Sequence, residues 1–425
     1  MPLALANAME LDLESSLYQA QRASLMLSQR RGRDRSRALA HMAQSLERAK
    51  DDVLEANTLD LEACDEMAVP ETIRDWLKLT PERIQGVVQM LTDLSLQGDP
   101  LEQGISAMSY ANGQHQTFTQ LIPLGVVALV YESLPLLGAI AAGLCLRSGN
   151  SLILRGSTEA SHSNAAMARA LQEGLEAAQF PSACITHMEG DSGSVLRDLL
   201  VQSQGVNLVI PYGRPSWVQK VEQMAVAPVL KTGMGNCYLY WASSGSLEMV
   251  RWMILDSYAT EPDPVNAVEK VLISQDVSES MVRLLWERLR AEGFQIRGDT
   301  AWVERYPDLE LAQESEWSQA YLSKIIAFRS VRNLPAAVAW INDYSSSHAD
   351  SIVTESYNES QAFCQQVNSA TVYVNTSPRF YRNPTQGSQI ALGMSNQKGY
   401  RRGRIGLATL TTAKNIILGS GQINS

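Results

Sequence analysis

No two cysteines in this 425-residue chain sit close together. Cys64, Cys145, Cys184, Cys237 and Cys364 are scattered singly. An odd, dispersed set without a CxxC pair argues against a disulfide frame and for reduced thiols in a reducing compartment. The five histidines, His41, His115, His162, His187 and His348, lack metal-ligand spacing, so no metal site is expected. Positive charge is in deficit: the formal net charge is -10, which disfavours general binding to nucleic acid. A basic leader is missing, because Met1 to Leu17 carries Glu10, Asp12 and Glu14. The most apolar region, LIPLGVVALVYESLPLLGAIAAGLCLRSG, is interrupted by Glu132 and Pro135, and neither piece reaches the ~20 residues of a membrane span. There are no internal repeats and no low-complexity stretches. These absences describe a cytoplasmic protein with neither nucleic acid nor membrane as partner.

What is present is enough apolar material for a large core. Hydrophobic residues make up 45% of the chain, and its length suggests two or three structural units. Leu11 to Lys50, Glu55 to Met67 and Pro81 to Leu96 repeat apolar residues at helical spacing. The period then changes. AMSYANGQHQTFTQLIP alternates around Asn112-Gly113, a strong hairpin signal, and predicts a hairpin over 106–122 that needs a partner. From Gly125 short apolar runs alternate with helices: GVVALVY before Leu136–Leu146, SLILRG before Ala160–Ala178, NLVIP before Ser216–Ala225. That is the βαβαβ order of a parallel, doubly wound sheet, whose ligands sit beyond the carboxyl ends of the strands. The loops after Tyr131, Arg155 and Pro211 are therefore the places for a site. A second α/β block runs from about Cys237 to Leu392, with KVLI, AYLSKIIAFR, DSIVTE and ATVYVN as strand candidates.

At PLGVVALVYESLP, LCLRSGNSLILRGSTEASHSN and LTTAKNIILGSGQI the chain resembles γ-glutamyl phosphate reductase, also called glutamate-5-semialdehyde dehydrogenase, within the aldehyde dehydrogenase superfamily. Ordered matches such as NLVIPYGRPS, VNSATVYVN and SNQK extend the resemblance over nearly the whole chain. It implies an α/β, aldehyde-dehydrogenase-like fold: two doubly wound parallel-sheet domains plus an oligomerisation β-hairpin. The implied layout is an NADPH-binding-type domain over 1–105 and 123–236 and a catalytic-type domain over 237–392. The hairpin and closing strand would take 106–122 and 393–425. In that family a Cys thiolate attacks the acyl phosphate, and NADPH reduces the resulting thioester to an aldehyde.

Residue by residue, the resemblance implies a degenerate site. The family's Pro-Gly-Val-Cys-Asn-Ala aligns with Pro262 to Ala267, placing Val265 at the nucleophile and Asn266 after it. An isopropyl group forms no thioester. Ser257 and Thr260 are nearby hydroxyls without a visible base, and Cys237, in MGNCYLY, reads as a buried strand thiol. The turn Glu-Ser-Arg-Pro-Asn, with Asp four residues on, becomes ESLPLLGAI, so Leu134, Leu136 and Ile140 stand for Arg, Asn and Asp. Lys-His-Leu-Asp-Gly becomes KTGMG, with Thr232 for His and Met234 for Asp. An anion among such side chains would keep its charges unpaired.

For the cofactor, the resemblance puts Arg155, Ser157 and Glu159 at the adenosine ribose and its 2′-phosphate. The alternative is a plain turn in which Arg155 pairs with Glu159. The phosphate loop Pro-Arg-Gly-Gly-Lys-Ser becomes Pro211 to Ser216, retaining Gly213 and Ser216 but placing Arg214 and Pro215 where glycine and lysine gave access. Arg214 adds bulk and Pro215 has no N–H for a phosphate, so the loop argues against NADPH. Arg379, Arg382, Lys398, Arg401, Arg402 and Arg404 near Thr385 form either an anion-binding patch or a solvated charge run. Two functions remain open. One is a non-catalytic homologue that assembles as a homo-oligomer, or with an active paralogue as a hetero-oligomer. The other is an oxidoreductase working without the thioester.

Overall fold

The computed structural model describes residues 2–102, 104–109, 115–188, 193–201, 205–259, 262–384, 390–398 and 402–419. The chain divides into two compact units. The first comprises residues 1–231, 383–392 and 405–425; the second comprises 232–382 and 393–404. The hairpin and final strand thus belong to the first unit.

The first unit opens with helices α1 (Pro2–Gln29), α2 (Gly32–Arg48), α3 (Lys50–Glu66), α4 (Glu71–Leu77) and α5 (Pro81–Leu96). The long periodic stretch expected from Leu11 to Lys50 breaks at Arg30-Arg31, where Arg31 adopts extended backbone. Strands β1 (Gly104–Ser109) and β2 (His115–Pro123) follow, then β3 (Val126–Tyr131), α6 (Pro135–Arg147), β4 (Ser151–Gly156), α7 (Ser161–Ala177), β5 (Ile185–His187), α8 (Gly193–Val201), β6 (Leu208–Tyr212) and α9 (Pro215–Met224). The last four strands form a parallel sheet in the order β5-β4-β3-β6. Every residue of β3, β4 and β6 is buried, as strands covered on both faces require. One face packs Val126, Ala128, Val130, Ile153 and Val209 against Leu13, Leu17 and Ala20 of α1. Helix α6 is apolar all round and buried except at Leu136, the mark of an internal helix. Helices α2 and α7 approach so closely that a Cβ on Gly174 would lie 2.5 Å from Met42 Cα. Glycine at that crossing is a packing requirement.

The second unit contains β7 (Cys237–Trp241), α10 (Leu247–Ser257), β8 (Val268–Ser274), α11 (Glu279–Ala291), β9 (Gln295–Gly298), α12 (Thr300–Arg305), β10 (Glu310–Leu311), β11 (Ile325–Val331), α13 (Leu334–Tyr344), β12 (Ala349–Val353), α14 (Tyr357–Gln366) and β13 (Thr371–Val374). Its seven-stranded parallel sheet has the order β10-β9-β11-β8-β7-β12-β13. The strand expected from Ala320 starts only at Ile325, because Glu269 takes the N–H groups of Tyr321 and Leu322 at 2.9 and 2.8 Å. A short antiparallel pair, β14 (Met394–Ser395) and β15 (Gly403–Arg404), completes the unit.

The final strand β16 (Thr411–Gly419) returns to the first unit and runs antiparallel along β2, from Thr411 opposite Pro123 to Gly419 opposite His115. The strand thus lies against the hairpin of its own chain. β1 and β2 pair antiparallel with Ser109 opposite Gln116, while the expected turn at Asn112-Gly113 lies outside the described residues. This three-stranded sheet exposes Phe118, Ile417 and Leu418 at 37%, 67% and 52%. Among the described residues no helix is long and apolar enough to cross a membrane.

Candidate functional site

The loop between α10 and β8 carries the position at which the family's nucleophile would stand. Val265 is fully buried there, and its backbone is held from three sides. Its N–H donates to Asp263 O at 3.0 Å, and its carbonyl accepts from Gly235 N–H at 3.0 Å. The same carbonyl lies 2.7 Å from His348 Nε2, so that nitrogen carries the proton. Asn266 donates from Nδ2 to Pro378 O at 2.8 Å, while its buried Oδ1 has no partner. Asp263, fully buried, receives the Arg382 guanidinium at 2.7 Å. Phe380 lies beneath both Arg382 and Arg404, whose guanidinium carbons stand 5.5 and 5.2 Å from its ring centre.

The nearby hydroxyl and thiol are committed elsewhere. Ser257 Oγ donates to Ile254 O at 2.7 Å and accepts from Val268 N–H at 3.1 Å, joining α10 to β8. It therefore serves the backbone, and Thr260 lies outside the described residues. Cys237 Sγ lies 3.3 Å from His348 Nε2, a spacing that looks catalytic in isolation. Burial decides otherwise. It pushes the Cys237 thiol well above its ordinary range, helped by the Asp350 and Glu269 carboxylates, and pushes His348 down to about 4. A neutral imidazole beside a protonated, inaccessible thiol supplies no thiolate. No local pattern singles out His348, since its partners Cys237 and Val265 are distant in the chain.

Two further buried groups, Glu269 and Lys270, act as a pair. Glu269 accepts from the N–H groups of Asn236, Tyr321 and Leu322. Lys270 donates to Gln319 O at 3.1 Å and stands 3.6 Å above the Tyr321 ring; burial lowers it to about 8. Together they clamp the 319–322 segment. Asp350 accepts Tyr238 N–H and the hydroxyls of Ser345 and Ser369, and burial raises it to about 6.

The apolar replacements are buried in their own units. In the first unit Leu134 is 3% exposed, Ile140 is buried and Leu136 half-buried. In the second, Met234 and Thr232 are buried, and Gly233 N–H between them donates to Met394 O at 2.9 Å. Four of the carboxyl-terminal arginines are engaged within the chain: Arg379 pairs with Asp256, Arg382 with Asp263, and Arg402 and Arg404 donate to Asn368 O and Tyr381 O. Thr385 and Arg401 lie outside the described residues.

In the first unit, the chain places β4 and β5 on one side of β3 and then β6 on the other. The crevice for a ligand is therefore at the carboxyl ends of β3 and β6. Glu132 and Ser133 leave β3 there, Ser133 with φ of 35°. Gly213 and Arg214 leave β6, Gly213 with φ of 150°. Arg214 donates its N–H to Glu132 Oε2 at 2.8 Å and its guanidinium to Oε1 at 2.7 Å. Of the expected ribose and 2′-phosphate positions, Ser157 Oγ accepts from Ser133 N–H at 3.0 Å. Glu159 accepts from Ser133 Oγ at 2.5 Å. Arg155 is only 8% exposed and donates to Gly156 O. Ser216, in the first turn of α9, is exposed.

Comparison with known proteins agrees with this architecture. Residues 3–294 match the aldehyde dehydrogenase family. The chain is 50% identical over 404 residues to γ-glutamyl phosphate reductase 2 of Synechocystis sp., covering 95% of this chain and 96% of that one. It is 37% identical to γ-glutamyl phosphate reductase of Gloeobacter violaceus, covering 97% and 100%. The crystal structure of γ-glutamyl phosphate reductase from Thermotoga maritima superposes with a TM-score of 0.88 at 30% identity, over 97% of this chain and all of that one.

Proposed function

The chain belongs to the aldehyde dehydrogenase family, among the γ-glutamyl phosphate reductases, and from that premise we propose that it is a non-catalytic member acting as an oligomeric partner or regulator. One observation supports the reading: Val265, which the family resemblance aligns with the nucleophile, is fully buried, and among the described residues its neighbours Cys237 and Ser257 are committed elsewhere. Acyl transfer needs an attacking group that is also expelled again, and a valine side chain is neither. Cys237 is kept protonated by burial, Ser257 is spent on the backbone, and Asn266 holds Pro378.

Assembly is the property that such a chain retains. The sheet β1-β2-β16 has two edge strands and exposes Phe118, Ile417 and Leu418. Exposed edges carrying large apolar side chains are ordinarily covered by another chain. The occupant is a second copy of this protein or an active relative of the same fold.

The decisive assay is run in the aldehyde-oxidising direction, with glutamate-5-semialdehyde, NADP⁺ and phosphate, alongside sedimentation of the full chain. The expected result is an assembly larger than a monomer with no turnover above the uncatalysed rate. Turnover would overturn the non-catalytic reading in favour of chemistry without a thioester. A monomer at micromolar concentration would remove the partner role.

A further inference from the structure

We infer that the crevice at the head of α9 is closed to a dinucleotide pyrophosphate by an anion that the chain supplies itself, the Glu132 carboxylate locked in place by Arg214. The inference concerns the cofactor, not the acyl chemistry, and stands independently of the lost nucleophile.

A helix N-terminus at the switch point of a doubly wound sheet holds phosphate through its free N–H groups. Here most of those groups are taken or missing. Arg214 N–H donates to Glu132 Oε2 at 2.8 Å, and Pro215 has no N–H. The N–H groups of Trp217 and Val218 turn back to Arg214 O at 2.9 and 3.1 Å. The Glu132 side chain is 6% exposed, and its second oxygen receives the guanidinium at 2.7 Å. A carboxylate therefore already sits where an external anion would be bound.

Gly213 supports the same assignment. A Cβ there would lie 2.6 Å from Glu132 Oε2 and 3.1 Å from Glu132 Cβ. The glycine makes room for an internal carboxylate, so its presence does not signal a phosphate.

Charge points the same way. Glu132 and Glu159 both act on Arg214, so one guanidinium answers two carboxylates before any ligand arrives. A pyrophosphate would bring two more negative charges into that crevice. The loop has no other cation to offer: Tyr212 is 1% exposed and Pro215 is uncharged. Arg155 is buried and turned to Gly156 O. Glu132 itself belongs to the turn this chain shares with the reductases. What distinguishes this chain is the arginine that closes over it.

The test is titration of the full-length protein with NADPH, followed by ligand fluorescence and calorimetry at fixed salt. Wild type is compared with Glu132→Gln, which removes the internal anion and leaves the Arg214 guanidinium for a phosphate, and with Glu132→Gln combined with Pro215→Lys, all three checked for folding by circular dichroism. Wild type is expected to show no saturation at micromolar NADPH, and the double variant to bind at least about tenfold more tightly. Glu132→Gln alone provides the reading if the double variant fails to fold. Saturable micromolar binding by wild type overturns the inference, as does a folded loop variant that binds no better than wild type. Binding by wild type without turnover would sink this inference alone and leave the non-catalytic reading in place.

Discussion

Replacing Arg382 with alanine leaves the Asp263 carboxylate buried without its guanidinium. The pair is 2.7 Å apart, with side-chain exposures of 9% for Arg382 and 0% for Asp263. Removing one member of a buried ion pair costs about 3–5 kcal/mol, because the remaining buried charge loses that counter-charge. For a cooperative unit of 150–250 residues, where 1 kcal/mol shifts Tm by roughly 2–4 °C, that is a fall of roughly 6–20 °C. The reverse deletion is gentler: Asp263→Asn keeps the acceptor and shape, and Arg382, unlike Asp263, retains some access to water at 9% exposure. The pair Asp263→Asn with Arg382→Gln removes both charges and is expected to recover most of the loss. A thermodynamic cycle by urea unfolding should give a coupling of at least about 1 kcal/mol. A loss below about 1 kcal/mol in Arg382→Ala, or strict additivity, would refute the claim that this pair pins the loop.

Three further outcomes are expected. Asp350 is raised to about 6 and His348 lowered to about 4, both by burial. Against unfolded values of about 3.9 and about 6.5, the folded chain holds the extra proton on Asp350 and the unfolded chain holds it on His348. The Asp350 contribution thus favours folding at low pH and is lost as pH rises through about 6; the His348 contribution is full above about 6.5 and lost as pH falls toward 4. Each spans roughly 3 kcal/mol. Asp350→Asn should therefore steepen the loss of stability on acidification and His348→Gln should shallow it; curves parallel to wild type would contradict the assignments. Val265→Cys should give no reductase turnover, because residues acting as a unit are non-additive and the new thiol would be as buried as the valine; measurable turnover would show an intact site. Ile417→Lys, at a position 67% exposed, should lower the sedimentation coefficient while changing Tm of the monomer little; an unchanged assembly would place the contact elsewhere.

The parallel sheets were legible because uninterrupted apolar runs such as GVVALVY and SLILRG have one stable environment, a strand covered on both faces. Helix ends were read less well. Apolar period runs straight across Arg30-Arg31, and only the extended Arg31 backbone shows the break. The strand expected at AYLSKIIAFR was shortened by a carboxylate, Glu269, more than fifty residues earlier.

By itself the sequence determined the family and the α/β fold, since both rest on patterning spread over hundreds of positions. It also determined that Val265 is no nucleophile, since that follows from the identity of one side chain. What it left open were the partners of polar groups. Glu132 meets Arg214 across 82 residues, Cys237 meets His348 across 111, and Asp263 meets Arg382 across 119. No local pattern encodes such pairs. Chain crossovers bring them together, and burial then sets whether each becomes a reactive group or a structural one. Cys237 beside His348 is the clearest case: the residue types suggest a thiolate, and the dry interior of the sheet keeps the proton on sulfur.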